Sequence, residues 1–121
     1  MEVDPRTRTG SIGEDAALRW YQDAGFLLIT RNWRCRIGEL DLVLSRGPLL
    51  VFCEVKARRG DAYGGGWEAV TARKQAKVRS VAQAFLLSSG LTPDSIRFDV
   101  ASVMVGHGPG RTTVEVFRDA F

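Results

Sequence analysis

A chain of 121 residues, 45% hydrophobic and 26% charged, has room for one packed core and not two, and its composition excludes disordered and fibrous classes. Its formal charge of +3 suits a polyanionic partner, the more so if acidic side chains gather at one site and leave the remaining surface basic. No apolar run approaches the roughly 18 residues of a membrane span, and the opening MEVDPRTRTG lacks the apolar core of a secretory signal, so a cytoplasmic protein without membrane contact is expected.

Residues 1–10 read as a flexible tail ahead of a single domain over 11–121. From Ser11 the apolar residues Ile12, Ala16, Ala17, Trp20, Tyr21 and Ala24 keep a helical period, and Gly25 stands where a helix stops. Three strands follow over about 26–34, 39–44 and 50–56. The two cysteines, Cys35 and Cys53, lie in or beside these strands, too few for a disulfide framework or a Cys-pair zinc site, and reduced thiols are expected. A loop with Gly60, Gly64, Gly65 and Gly66 leads to a second helix over 71–88. Thr71 is its expected N-cap, Gly90 its stop, and Val78, Val81, Ala82, Phe85 and Leu86 its apolar stripe. Strands over 96–104 and 113–117 close the chain. The order α-β-β-β-α-β-β predicts an α/β fold with a mixed β-sheet flanked by helices. Trp20, Trp33 and Trp67 are expected to pack in the core or at its rim.

The hairpin GELDLVLSRGPLLVFCEVKARR sets charges among apolar strand residues. A four-residue turn, Arg46-Gly47-Pro48-Leu49, pairs Ser45 with Leu50, which puts Asp41 opposite Glu54 and Glu39 opposite Lys56. Alternation then assigns Leu40, Leu42, Leu44, Val51, Cys53 and Val55 to a wholly apolar face and gathers the four charges on the other. Two carboxylates directly opposite one another repel, and burial makes the repulsion worse. A divalent cation removes the conflict, and one or two carboxylates with retained waters suit Mg²⁺ or Mn²⁺. The bland alternative is a Glu39–Lys56 surface ion pair with Asp41 and Glu54 solvated at an edge.

An acid on one strand, then Glu-x-Lys on the next, with an acid on the preceding helix, resembles the PD-(D/E)XK nuclease superfamily; here these are Asp41, Glu54, Lys56 and Glu14. A longer resemblance, covering nearly all the chain after residue 10, runs through GEDAALRWYQDAGF, the hairpin, WEAVTARKQAKV and RFDV. It is to the YraN family of small bacterial proteins. The superfamily's Pro is replaced by Leu40, and the Pro expected after Thr71 by Ala72, neither of which the chemistry needs.

The resemblance implies a restriction-endonuclease-like three-layer core and a metal-dependent endonuclease acting on DNA, with branched or structured DNA such as Holliday junctions as candidate substrates. Junction cutting implies a homodimer. By the same resemblance Asp41 and Glu54 bind Mg²⁺ or Mn²⁺, Glu14 completes the site, and Lys56 is the catalytic lysine. Glu14 also fits a capping box with Ser11, and that reading stays open. Glu39 is either a further acid near the metal or the partner that positions Lys56, and Asp99 either supports the site or is an ordinary strand residue. Arg58 and the start of the second helix, Thr71, Arg73, Lys74, Gln75 and Lys77, are the expected contacts to nucleic acid, where helix-end amides already favour phosphate. The alternative from another class is a nucleic-acid-binding module of the same fold without cleavage, and RNA stays open as the ligand.

Overall fold

The computed structural model describes residues 5–59, 70–108 and 110–121. Along the chain run α1 (Pro5–Asp23), β1 (Leu27–Cys35), β2 (Gly38–Arg46), β3 (Leu49–Arg59), α2 (Ala72–Ser89), β4 (Ser95–Val105) and β5 (Thr113–Phe117), in the order expected from the sequence. The five strands form one sheet in the order β1-β2-β3-β4-β5. β3 and β4 are parallel, joined by the crossover through α2, and every other neighbouring pair is antiparallel.

Alternation along β3 builds two cores. Val51 and Cys53 face α1, where they join Ala17, Tyr21, Leu42, Leu44, Ala101 and Val103. Leu50 and Phe52 face α2 and pack with Val43, Val78, Val81, Ala82 and Phe85. The result is three layers, helix on sheet on helix, with the central strands of the sheet buried on both faces.

Buried Gly13, Ala17 and Tyr21 recur every fourth residue of α1 and form the stripe laid on β3 and β4. Small residues let that helix approach closely: a Cβ on Gly13 would fall 2.4 Å from Cβ of Ala57. α1 ends as expected, with Gly25 at φ 90° and the Phe26 N–H donating to the Tyr21 carbonyl at 2.9 Å. Its start differs. The helix begins at Pro5 rather than Ser11, so Pro5–Gly10, read from the sequence as part of a tail, are helical, and Ser11 and Glu14 lie inside the helix. The capping-box reading of these two residues is thereby corrected.

α2 carries the expected caps. The Thr71 side chain accepts the Lys74 N–H at 3.2 Å, and Gly90 is left-handed at φ 72° with its N–H donating to Leu86. The glycines at 60, 64, 65 and 66 and Trp67 lie outside the described residues.

One feature of the strands corrects the expected faces. Asn32 in β1 has φ 55°, a left-handed value that Asn tolerates better than most residues, and the side-chain alternation reverses there. Arg31 reaches α1, whereas Trp33 packs edge-on against Phe85 of α2 at 5.3 Å. Their partners across the ladder follow: Leu42, opposite Arg31, joins the α1 core, and Leu40, opposite Trp33, joins the α2 core. Leu40, Leu42 and Leu44 therefore do not share one face. The switch centres on Asp41.

Candidate metal and phosphate cleft

The β2–β3 ladder has the register derived from the turn, from Arg46↔Leu49 through Ser45↔Leu50 to Leu42↔Cys53. One residue further on the backbones part, and the Asp41 side chain fills the gap: its Oδ2 accepts the Val55 N–H at 2.8 Å. Asp41 and Glu54 thus come together at the end of the ladder, in a cleft of about 390 Å³ between β2, β3 and α2. Glu39, Lys74 and Lys77 also line it. Its wall is tight at Gly38, where a Cβ would come within 3.1 Å of Val81 and 3.2 Å of Lys77.

Both carboxylates resist ionisation. Burial pushes Glu54 up from 4.5 to about 7, with the charge of Asp41 adding to the effect. Burial likewise pushes Asp41 up from 3.8 to about 6; the Val55 N–H opposes this, while Glu14 and Glu39 add to it. Lys74 draws both values down. Glu54 is only 6% exposed, and its Oε2 is the one buried side-chain oxygen or nitrogen among the described residues without a hydrogen-bond partner. An orphaned buried acceptor costs about 1–3 kcal/mol, more if charged.

Glu14 is close enough to raise the Asp41 value, but it is already held. It accepts from Arg31 Nε at 3.2 Å and Asn32 Nδ2 at 3.1 Å, while Arg31 Nη1 donates to Asp15 at 2.6 Å. Among the described residues no three His, Cys, Asp or Glu side chains gather into a ready ligand set. The donor set on offer is two carboxylates with the remainder from water, which matches the habits of Mg²⁺ and Mn²⁺ better than those of Zn²⁺ or Ca²⁺. The residues fit such an ion.

Other expected site residues are placed differently. Glu39 pairs with Arg34, directly opposite on β1, at 2.9 Å rather than with Lys56, so it does not position that lysine. Lys56 is half-buried on β3 and is not part of the cleft lining. Asp99 belongs to a different cluster. Fully buried, it accepts the Tyr21 hydroxyl at 2.6 Å, two bonds from Arg97 at 2.8 and 2.9 Å, and the Asp119 N–H at 2.9 Å. Every part of that carboxylate is used to tie α1, β4 and the C-terminal residues together, and none of it serves the cleft.

At the start of α2, Thr71 is occupied as the cap and Gln75 donates to the Val70 carbonyl at 2.8 Å, whereas Arg73, Lys74 and Lys77 are exposed. Arg58 is half-buried on β3. Both cysteines are free thiols, and burial raises the Cys53 value well above the usual thiol range, so it is inert. Sequence reasoning missed Arg31, Asn32 and Arg34 as holders of Glu14 and Glu39. Their nearness to the helix and to β2 was the available signal. No helix among the described residues is long and apolar enough to cross a membrane.

A second hollow, about 560 Å³, lies between α1 and β5 and is lined by residues such as Ile12, Trp20 and Val114. Among the described residues it contains no orphaned buried polar atom.

The sequence profile of the uncharacterised protein family UPF0102 matches residues 13–103. A UPF0102 protein of Rhodococcus jostii (strain RHA1) is 48% identical over 112 residues, covering 93% of this chain and 94% of the relative. One from Frankia alni is 45% identical over 122 residues, covering the whole of both chains. Another, from Pelotomaculum thermopropionicum, is 42% identical over 119 residues, covering 98% of this chain and 99% of its own.

Proposed function

The chain belongs to the uncharacterised protein family UPF0102, and on the geometry of its cleft we propose that it is a Mg²⁺- or Mn²⁺-dependent endonuclease hydrolysing phosphodiester bonds of DNA. One observation carries the reading: half-buried Asp41 and buried Glu54 meet at the end of a hairpin, and Glu54 Oε2 has no hydrogen-bond partner among the described residues. Structure alone gives no reason to keep so unfavourable a pair, whereas a bound divalent cation removes both the repulsion and the orphaned acceptor.

Asp41 and Glu54 would hold the ion, which when bound would polarise the scissile phosphate and lower the pKa of an attacking water. Lys74 and Lys77, at the cleft, supply positive charge for the phosphate backbone, with Arg73 on the same turn of α2. Lys56, on β3 two residues beyond Glu54, would steady the attacking water or developing charge, a role resting on the resemblance to PD-(D/E)XK nucleases. Glu14, held by Arg31 and Asn32, adds negative charge behind Asp41. The element order and the acid, Glu-x-Lys pattern support the same reading. Branched DNA is the favoured substrate class by resemblance to junction resolvases, and two symmetric incisions would need a homodimer.

A second reading, a DNA-binding module without cleavage, draws on two observations: Glu14 is already held by cationic and amide groups, and Lys56 stands off the cleft lining. Cleavage assays separate the two. With Mn²⁺ or Mg²⁺, the wild type is expected to cut at least one of duplex, single-stranded, flap and four-way-junction DNA, with RNA as a further comparison, and Glu54→Ala to lose at least a hundredfold in rate, as expected for loss of a metal ligand (about 3 kcal/mol in the barrier). Salt-sensitive binding by both proteins with no cutting anywhere supports the module instead.

A further inference from the structure

In a regular strand neighbouring side chains point to opposite faces, so two adjacent residues do not reach the same helix. Arg31 and Asn32 do. Arg31 Nε donates to Glu14 Oε1 at 3.2 Å, and Asn32 Nδ2 donates to the same oxygen at 3.1 Å. The left-handed φ of 55° at Asn32 makes this possible, a conformation shared among the described non-glycine residues only by Asp119. Backbone of this kind persists where its surroundings hold it, and it gathers at sites of function.

Arg31 already ties β1 to α1 through Asp15 and the Ser11 carbonyl, at 2.6 and 3.2 Å. Asn32 adds a second donor to one oxygen of Glu14, and neither bond uses Oε2. Its place in the sheet gives this a purpose. The ladder pairs Arg31 with Leu42 and Trp33 with Leu40, which sets Asn32 level with Asp41. Glu14 and Asn32 line a hollow of about 700 Å³ whose wall includes Glu39, and Glu39 also lines the cleft of Asp41 and Glu54. Hollow and cleft meet at that residue, and the Glu14 side chain, 18% exposed, is open to water.

We infer that Asn32 is a positioning residue for the divalent-cation site: with Arg31 it fixes the Glu14 carboxylate by one oxygen at the level of Asp41, leaving the other to accept from water in the cleft. The inference rests on the metal reading above and goes beyond it in giving Glu14 a contact through water and Asn32 control of that contact. Direct ligation is not what the geometry offers, since among the described residues no three acids gather into a ligand set. Groups that orient a metal site from outside its ligands typically carry about tenfold to a hundredfold in affinity.

Calorimetric titration of Mn²⁺ into the full-length protein at pH 8, with urea melts of each variant, tests this. Asn32→Gly keeps a residue at ease in the left-handed conformation and removes only the donor. It is expected to bind Mn²⁺ about tenfold more weakly than wild type, and Glu14→Gln, which leaves the backbone untouched, at least as weakly. In the Glu14→Gln background, Asn32→Gly should change affinity by less than twofold, because its effect runs through Glu14. Affinity within twofold of wild type in either single variant overturns the inference and leaves the metal site standing; for Asn32→Gly with a lowered melting midpoint, the bond is merely structural. A tenfold loss that persists in the Glu14→Gln background also overturns it. Absence of Mn²⁺ binding by wild type, or binding that survives Glu54→Gln, removes the metal site itself and the inference with it.

Discussion

Glu54→Gln raises the stability of the metal-free protein at pH 8 by about 1–2 kcal/mol and flattens its decline with pH. The Glu54 carboxyl titrates near 4.5 when exposed and near 7 in the fold, chiefly because it is buried and secondarily because Asp41 faces it. The folded state therefore holds the proton more tightly than the unfolded chain. Stability associated with this group is fully present below about 4.5, is lost as pH climbs towards 7, and is level above that. Asp41, raised from 3.8 to about 6 by burial, acts with the same sign over a slightly lower window. Because each acid is part of the other's environment, the two losses overlap and do not add. Gln removes the charge but keeps a buried amide, so it recovers only part of the loss.

Urea melts between pH 4 and pH 8 measure the effect as the difference between wild type and variant, which cancels the titrating groups that do not interact with Glu54. A second arm uses the metal. Saturating Mn²⁺ at pH 8 should stabilise wild type, by about 2.7 kcal/mol at a hundredfold excess over the dissociation constant, and leave Glu54→Gln nearly unmoved. A wild type whose stability rises steadily with pH relative to Glu54→Gln would contradict the burial argument.

Asp99→Ala costs about 3–5 kcal/mol of stability without touching metal binding. Its carboxylate is fully buried and satisfies Tyr21, both arms of Arg97 and the Asp119 N–H. Truncation leaves the Arg97 charge, 18% exposed, and the Tyr21 hydroxyl without their partner. Losing one member of a buried charged network costs far more than the network contributes over an apolar replacement, because the remaining groups stay desolvated. Tyr21→Phe, which removes one hydrogen bond and leaves the ion pair, should cost about 1 kcal/mol and gives a usable variant if Asp99→Ala does not fold. Denaturant melts measure both. Mn²⁺ affinity within twofold of wild type in Tyr21→Phe would place this cluster apart from the cleft; a large loss of affinity at unchanged stability would make it part of the site.

What could be read from the sequence was local. Gly47-Pro48 marked the turn, the turn fixed the pairing, and the pairing brought Asp41 and Glu54 to the same end of the hairpin, as the ladder from Leu42↔Cys53 to Arg46↔Leu49 bears out. Thr71 and Gly90 marked the ends of α2 by the chemistry of their own side chains and backbone. What escaped depended on partners distant in sequence or on a third strand. Glu39 was matched across to β3, although β2 has a neighbour on each side and Arg34 of β1 stands directly opposite. The polar alternation of Asp99 was visible, but its principal partner Tyr21 lies 78 residues away. Leu40 was assigned by strict alternation, which the left-handed Asn32 interrupts because β1 and β2 must pack against α1 at one end and α2 at the other. The start of α1 had a usable signal in Pro5, a residue favoured at the first helical position, but Ser11 and Glu14 offered a competing local motif that the longer helix overrode.

The claim on which the rest depends is that Asp41 and Glu54 form a divalent-cation site. Crystals grown at pH 8 and soaked in Mn²⁺ allow the ion to be located by its anomalous scattering. The expected map has one strong peak in the cleft, about 2.1 Å from a carboxylate oxygen of each residue and completed by waters. A fully soaked crystal with no peak there, and the Asp41 and Glu54 carboxylates unchanged in place, would contradict it.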